Sequence, residues 1–370
     1  MNGSKHARRS RRWLPWAAAG AALVVGGVVG GVIVAATSST ANGETSSPAS
    51  SSSSSAISAC AVTSVADQVI PSVVTISAQG QDGAGTGSGE VIKSDGYILT
   101  NNHVIAIAAN GGKVEVLFSD GQSAPAVITG RDPQTDLAVL KVDTSKNLKV
   151  IQMGSSASVK VGEATVVIGA PLGLSGTVTS GIVSALDRTI QVPAENDTTA
   201  LLVSAIQTDA SINPGNSGGA MVNCAGQLIG VPTAGATVPS PSGESSGGSI
   251  GLGFAIPVDL AKTIADEIIA TGRVTHAYFG LGTVPIPPAA AAQAGLPEGL
   301  YVRAVAPGGP AEAAGLRADD VITKINGESA TSNIQLQELT LTKKPGDTVP
   351  IEYTRNGTSA STTVTLGTQP

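Results

Sequence analysis

The sequence predicts a mostly β protein assembled from many short strands. Two observations carry this expectation. Aromatic residues make up only 2% of the chain, while Gly, Ser, Val, Ala and Thr dominate. A core of Val, Ile, Leu and Ala suits pleated strands better than packing around large rings. Between about residues 60 and 272, short apolar runs are separated by Gly, Asp, Asn and Pro, the spacing of a sandwich or barrel. At 370 residues there is room for two domains and accessory segments.

The chain begins with Lys5, Arg8, Arg9, Arg11 and Arg12, ahead of any acidic residue. The rest is therefore more acidic than the net charge of −6 indicates. It has no basic surplus to neutralise phosphates, which argues against nucleic acid as a partner. Residues 13–36 are uncharged, apolar and glycine-rich, with no polar face, and are long enough to span a bilayer. They are read as an uncleaved signal anchor. The positive-inside rule makes 1–12 a cytoplasmic tail and places the remainder outside a membrane crossed once. A cleaved signal peptide is the competing reading, since Ala35-Ala36-Thr37-Ser38-Ser39-Thr40-Ala41 loosely matches an A-x-A exit. Residues 37–59, with their run from Ser50 to Ser55, cannot bury a core and read as a flexible tether. Cys60 and Cys224 are the two cysteines. An oxidising compartment permits a disulfide between them, and two buried free thiols are the alternative.

In the region 60–272 the expected strands lie at 73–76, 89–92, 97–100, 114–117, 137–140, 165–168, 181–184 and 227–230. Residues 259–271, with Leu260, Ile264, Ile268 and Ile269 at helical spacing, form the expected closing helix. Three polar features stand out. His103 follows a strand, and the other two histidines, His6 and His276, lie in the tail and near a domain junction. Asp136 opens an apolar strand. Alone, such a histidine is more often structural, and such an aspartate is usually turn chemistry.

The third feature is Asn213-Pro214-Gly215-Asn216-Ser217-Gly218-Gly219. A serine nucleophile needs an exposed Oγ, a tight backbone and N–H groups converging on a developing oxyanion. The N–H groups of Gly215 and Ser217 can provide that hole. The chain order His, Asp, Ser is that of the trypsin-like barrel proteases. In this reading Ser217 attacks a carbonyl, His103 is the base and Asp136 holds the imidazole. No H-E-x-x-H or Cys/His cluster suggests a metal, and no cofactor is required.

At these residues the sequence closely resembles the HtrA/Deg family of serine proteases. The matching stretches are Ser94-Asp95-Gly96-Tyr97-Ile98-Leu99-Thr100-Asn101-Asn102-His103-Val104, Thr135-Asp136-Leu137-Ala138-Val139-Leu140, the run from Gln207 through Gly219, and Gly251-Leu252-Gly253-Phe254-Ala255-Ile256-Pro257. The resemblance implies two perpendicular six-stranded antiparallel β-barrels with the triad in the cleft between them. It also implies ATP-independent endoproteolysis of misfolded or damaged proteins outside the cytoplasm. Ser211 stands six residues before the nucleophile, where barrel proteases that cleave after Lys or Arg carry Asp. With Phe254 it is assigned to the S1 pocket, and small or medium aliphatic P1 side chains are expected. Members of the family often rest in an inactive state until surrounding loops order. The counterparts here are 187–200 and 233–249, both mobile by composition. Members are commonly trimers, which makes a homotrimer the assembly to test, although the N-terminal contact segment is occupied here by tether and anchor.

A new pattern fills 273–370 and resembles the PDZ domain of the same family, in one copy, with Asp319 where Gly is usual. Such a module adds a peptide strand to its sheet edge and captures a terminal carboxylate on backbone N–H groups. Phe279, Gly280, Leu281 and Gly282 match the carboxylate-binding loop. Ile334, Leu336 and Leu339 are candidates for the side pocket or, equally, for ordinary core. The expected partners are unfolded proteins and C-terminal peptides. A peptide-binding chaperone or adaptor with latent proteolysis is the competing function, against which the intact His, Asp, Ser and glycine positions argue.

Overall fold

The computed structural model describes residues 60–144, 147–170, 176–195, 198–235 and 249–370. The segments read as tail, signal anchor and tether lie outside the described residues. Among the described residues, no helix is long and apolar enough to cross a membrane.

A short helix, α1 (Val62–Val69), leads into a closed barrel of β1 (Val73–Gly80), β2 (Gly83–Val91), β3 (Tyr97–Asn101), β4 (Lys113–Leu117), β5 (Ser123–Asp132) and β6 (Leu137–Val142). The strand order is β1-β2-β3-β6-β5-β4, every neighbour antiparallel. The period-two rule decides which residues fill it. Val74, Ile76 and Ala78 of β1 point inward to meet Ile98, Val116 and Leu140, while Val73 points out to a second apolar cluster. On β2 the inward positions before Val91 are glycines: a methyl on Gly89 would strike Ile76 and Ile98. Ser88 and Glu90 therefore face outward.

The second barrel closes β8 (Ala164–Gly169), β9 (Thr177–Pro193), β10 (Thr199–Thr208), β13 (Gly253–Pro257), β12 (Gln227–Gly235) and β11 (Ala220–Asn223) in that order, with β7 (Gln152–Met153) added in parallel beside β12. Its interior is Val167, Val183, Ile206, Met221 and Ile229, with Ala255. A seam of Leu99, Leu137, Val139, Leu202, Val231 and Ile256 joins the barrels. Helix α3 (Val258–Thr271) closes this seam with Ala261, Ile264 and Ile268 and ends on Gly272, left-handed at φ 78°. The one-turn helix α2 (Asn102–Ile105) follows β3.

The expectation of two six-stranded barrels is met, and the 187–200 segment, expected to be a mobile loop, is mostly strand among the described residues. Residues 187–193 extend β9 and 199–200 begin β10, paired from Thr199↔Pro193 onward. Asp187 at φ 54° and the register shifts beside Ala205 bend this ladder, and Thr189 bonds Glu338 of the C-terminal module. The polar residues of this ribbon alternate with Ile190 and Val192, which pack on the seam cluster, so pairing and a partly covered face hold it together. Of 233–249, residues 233–235 belong to β12 and 236–248 lie outside the described residues.

The C-terminal module carries β14 (Ala277–Tyr278), β15 (Leu281–Ile286), α4 (Pro288–Ala294), β16 (Gly299–Val305), α5 (Pro310–Ala313), β17 (Val321–Ile325), β18 (Glu328–Ser329), α6 (Asn333–Thr342), β19 (Thr348–Arg355), β20 (Thr358–Thr365) and β21 (Gly367–Thr368). Its main sheet runs β15-β16-β17-β19-β20, leaving β15 at an edge. Ser332 and Gln335 form a capping box that starts α6.

Candidate active site

His103 sits on the single turn of α2, aimed by the end of β3. Asp136 lies in the turn between β5 and β6, left-handed at φ 57°, a conformation Asp tolerates better than most residues. The turn is tied to α2 from below: the Asp136 carbonyl accepts from Asn102 N at 3.1 Å and from Asn101 Nδ2 at 2.9 Å. Its carboxylate Oδ1 accepts from the His103 backbone N–H at 2.9 Å. Oδ2 lies 2.8 Å from His103 Nδ1 and also accepts from Thr233 Oγ1. A carboxylate can only accept, so Nδ1 carries the proton and Nε2 is left as the basic nitrogen. Asp136 is only 4% exposed, while the His103 side chain is 41% exposed, open to a substrate.

Ser217 lies between β10 and β11, in a turn where Asn216 N bonds Asn213 O at 3.0 Å and Gly219 N bonds Asn216 O at 3.0 Å. The turn is clamped from both barrels. Gly218 N donates to Pro232 O and Ser88 N donates to Ser217 O, each at 2.9 Å. Gly218 is required at φ 79°, and a methyl there would run into Ser88 O and Thr100 Oγ1. The Ser217 Oγ donates to Thr233 O at 3.3 Å. The structure thus brings His103 and Asp136 into direct contact and joins Ser217 to them through Thr233, whose hydroxyl holds Asp136 and whose carbonyl holds Oγ.

Two contributing residues, Thr233 and Ser88, carry no motif signal. The Ser88 hydroxyl donates to Gly215 O at 2.6 Å and accepts from Ala170 N at 2.8 Å, tying the Ser217 turn to the first barrel and to the end of β8. Their legible trace is slight: each is a small hydroxylated residue in a strand rich in glycine and apolar residues.

The assigned S1 residues lie apart in their contacts. The Ser211 carbonyl accepts from Thr179 Oγ1 at 2.9 Å and from Asn216 Nδ2 at 3.3 Å. Phe254 packs against the seam cluster. In the C-terminal module, Gly280 is left-handed at φ 73° beside the edge strand. The Phe279 side chain is core, 3% exposed, so any role of Phe279 toward a peptide falls to its backbone. Leu336 is core and Leu339 packs on it, whereas Ile334 turns toward Leu201, Val203 and Leu341 at the junction with the barrel, which removes it from a groove pocket. Asn333 reaches across from α6 to β15, donating from Nδ2 to Thr283 O at 3.0 Å and accepting from Thr283 Oγ1 at 2.7 Å. Cys60 and Cys224 form a disulfide, with Cα atoms 5.2 Å apart.

Two closed barrels with a His–Asp pair and a serine turn at their seam, followed by a module with an open sheet edge, define a trypsin-like peptidase joined to a peptide-recognition domain. Comparison with known proteins agrees. Residues 87–231 match the trypsin-like peptidase domain and residues 276–366 match the PDZ domain. The chain is 42% identical over 314 residues to the serine protease PepD of Mycobacterium tuberculosis (strain ATCC 25618 / H37Rv), covering 83% of this chain and 66% of that protein. It is 39% identical over 286 residues to a probable periplasmic serine endoprotease, DegP-like, of Halomonas elongata, covering 77% and 56%. The chain therefore spans roughly half to two thirds of the length of these curated relatives. Among solved structures, the HtrA-type protease AlgW with a decapeptide superposes with a TM-score of 0.66 at 33% identity, over 84% of this chain and 99% of that one. The chain belongs to the HtrA family of serine proteases.

Proposed function

We propose that this chain is an endopeptidase acting through an acyl-enzyme, with Ser217 as nucleophile, His103 as general base and acid, and Asp136 as the group that orients His103. The observation that carries the reading is the shared Asp136 carboxylate, bonded at once to His103 Nδ1 at 2.8 Å and to the hydroxyl of Thr233, the residue that holds Ser217 Oγ. For reaction, Oγ exchanges the Thr233 carbonyl for His103 Nε2, a tightening expected on substrate binding. Oγ then attacks the scissile carbonyl carbon while its proton passes to Nε2. The charge that develops on the carbonyl oxygen is met by the N–H groups of Gly215 and Ser217. Collapse expels the amine with the proton from His103 and leaves an ester on Ser217. A water that gives its proton to His103 hydrolyses that ester.

The remaining assignments belong to the same reading. Residues 60–272 are the peptidase unit, and Ser211 and Phe254 bound its S1 pocket. Residues 273–370 are the peptide-binding unit, in which the loop of Phe279, Gly280, Leu281 and Gly282 takes a C-terminal carboxylate. The substrates are misfolded proteins outside the cytoplasm, reached from a membrane anchor at 13–36 by a homotrimer. The periplasmic endoprotease name of the Halomonas elongata relative supports the compartment. The test is cleavage of casein by the chain and by its Ser217→Ala variant. Cleavage that disappears in the variant supports the assignment; equal cleavage in both overturns it.

A further inference from the structure

We infer that His276 is a positioning residue, through which the C-terminal module holds the 132–136 turn, and so Asp136, in the geometry that orients His103. This rests on the proposed role of Asp136 and extends it to the regulation of the same site.

His276 lies between α3 and β14, at the entrance to the module. Its Nε2 donates to Asp132 Oδ1 at 2.9 Å, and the two residues are 7% and 3% exposed. Burying such a pair is costly unless every polar atom finds a partner. Asp132 meets that demand by organising the turn: Oδ1 also accepts from Gln134 N at 3.2 Å, and Oδ2 accepts from Thr135 Oγ1 at 2.5 Å. Thr135, 1% exposed, immediately precedes Asp136. A second tether runs in parallel. Gln134 Nε2 donates to Gln369 Oε1 at 2.9 Å, and Gln369 N donates to His276 O at 3.0 Å. The circuit from His276 to Asp132, through the turn to Gln134, and back by Gln369 to His276 is closed.

What packs on this side of the turn is slight. A cavity of about 530 Å³, lined in part by Arg131, Pro133, Gln134, Arg273 and Thr368, lies against it. Hydrogen bonds rather than apolar contacts therefore hold the outer face. The turn needs holding, because Asp136 has a left-handed backbone, which persists only when its surroundings over-determine it. From within the barrels, Leu201 N bonds Gln134 O at 3.0 Å and Asn102 N bonds Asp136 O at 3.1 Å. His276 supplies the buried side-chain anchor that comes from outside the barrels.

The test uses the full chain with His276→Ala and His276→Gln; the glutamine amide keeps a donor for Asp132. The substrate is a short peptide with an amidated C-terminus, which cannot engage a carboxylate-binding loop. His276→Ala is expected to lower kcat about tenfold with KM within about twofold, and His276→Gln to recover most of the loss. A second readout needs no turnover. The chain has three histidines, so the imidazole N–H proton of His103 bonded to Asp136 can be assigned by substitution in proton NMR. It should be sharp in the parent and in His276→Gln, and broadened or lost in His276→Ala. An unchanged resonance and unchanged kcat in His276→Ala would overturn the inference. So would equal impairment in both variants with a matching fall in melting temperature, the mark of a purely structural pair. If the parent showed no Ser217-dependent cleavage, the proposed function would fall, and the NMR comparison would still decide the role of His276.

Discussion

Glu90 is fully buried, and neither of its carboxylate oxygens has a hydrogen-bond partner. It projects outward from β2, flanked by Val73 and Leu99, into the seam between the barrels. Desolvation pushes its carboxyl well above the ordinary value of 4.5, so folding favours its protonated form. The sign follows from linkage. A carboxyl whose folded pKa is raised favours folding below its unfolded pKa, and that contribution is lost as pH rises through the folded value. Glu90→Gln should therefore leave stability nearly unchanged at about pH 4 and raise it increasingly toward about pH 8. Thermal melts of both proteins across that range check this; a gap that stays constant or narrows contradicts it. Thr233 and Ser88 act nearer the chemistry. Removing the hydroxyl that holds Asp136, as in Thr233→Val, should cost about 1–2 kcal/mol of transition-state stabilisation, or about 5- to 30-fold in kcat/KM. Ser88→Ala, which frees Gly215 O and Ala170 N, should lower kcat while KM changes little, because the proposed oxyanion hole that it steadies would act on the transition state. Steady-state kinetics on one peptide would separate the two effects.

At the scale of elements, the groups proposed as catalytic sit on turns whose ends are fixed by strands. The serine turn approaches the first barrel so closely that Gly218 has no room for a side chain. Gly218→Ala should abolish cleavage while the far-ultraviolet circular dichroism spectrum remains that of the parent, since the strain falls on one turn. Helix α3 was legible because Ile264 and Ile268 repeat at helical spacing and Gly272 stops it. β1 and β6 were legible as the short apolar runs Val73-Val74-Thr75-Ile76 and Leu137-Ala138-Val139-Leu140, buried on both faces. β5 was not, since Pro125 and Gly130 interrupt it and its residues are only partly covered. The distal half of β9 was not legible as strand because its residues are only partly covered and its hairpin with β10 carries register shifts that interrupt the alternation.

At the scale of the molecule, three attachments hold distant parts together. The Cys60–Cys224 disulfide links the start of α1 to the turn between β11 and β12 across 164 residues. Replacing both cysteines by serine should destabilise the chain by about 2–5 kcal/mol, measured by chemical denaturation beside the oxidised parent. The seam under α3 joins barrel to barrel. The third attachment joins the C-terminal module to the second barrel through Leu341 and Ile334 against Leu201 and Val203, and through His276 to the turn of Asp136.

The residues by themselves determined that the chain is β-rich, that a His, Asp and Ser in trypsin-like order accompany a glycine-bounded nucleophile turn, and that a second module follows. These are local patterns: period-two runs, turn glycines and short motifs whose chemistry demands particular side chains at fixed spacing. Only the tertiary structure decided that Thr233 stands between Asp136 and Ser217, that Ser88 clamps the Ser217 turn, that Glu90 is sealed in the seam, and that Ile334 faces the barrel. It alone brought His276 against Asp132, 144 residues away in the chain. Each of these depends on which face a strand presents and what the opposing barrel places there, and that is set by closure of the sheets rather than by any stretch of sequence.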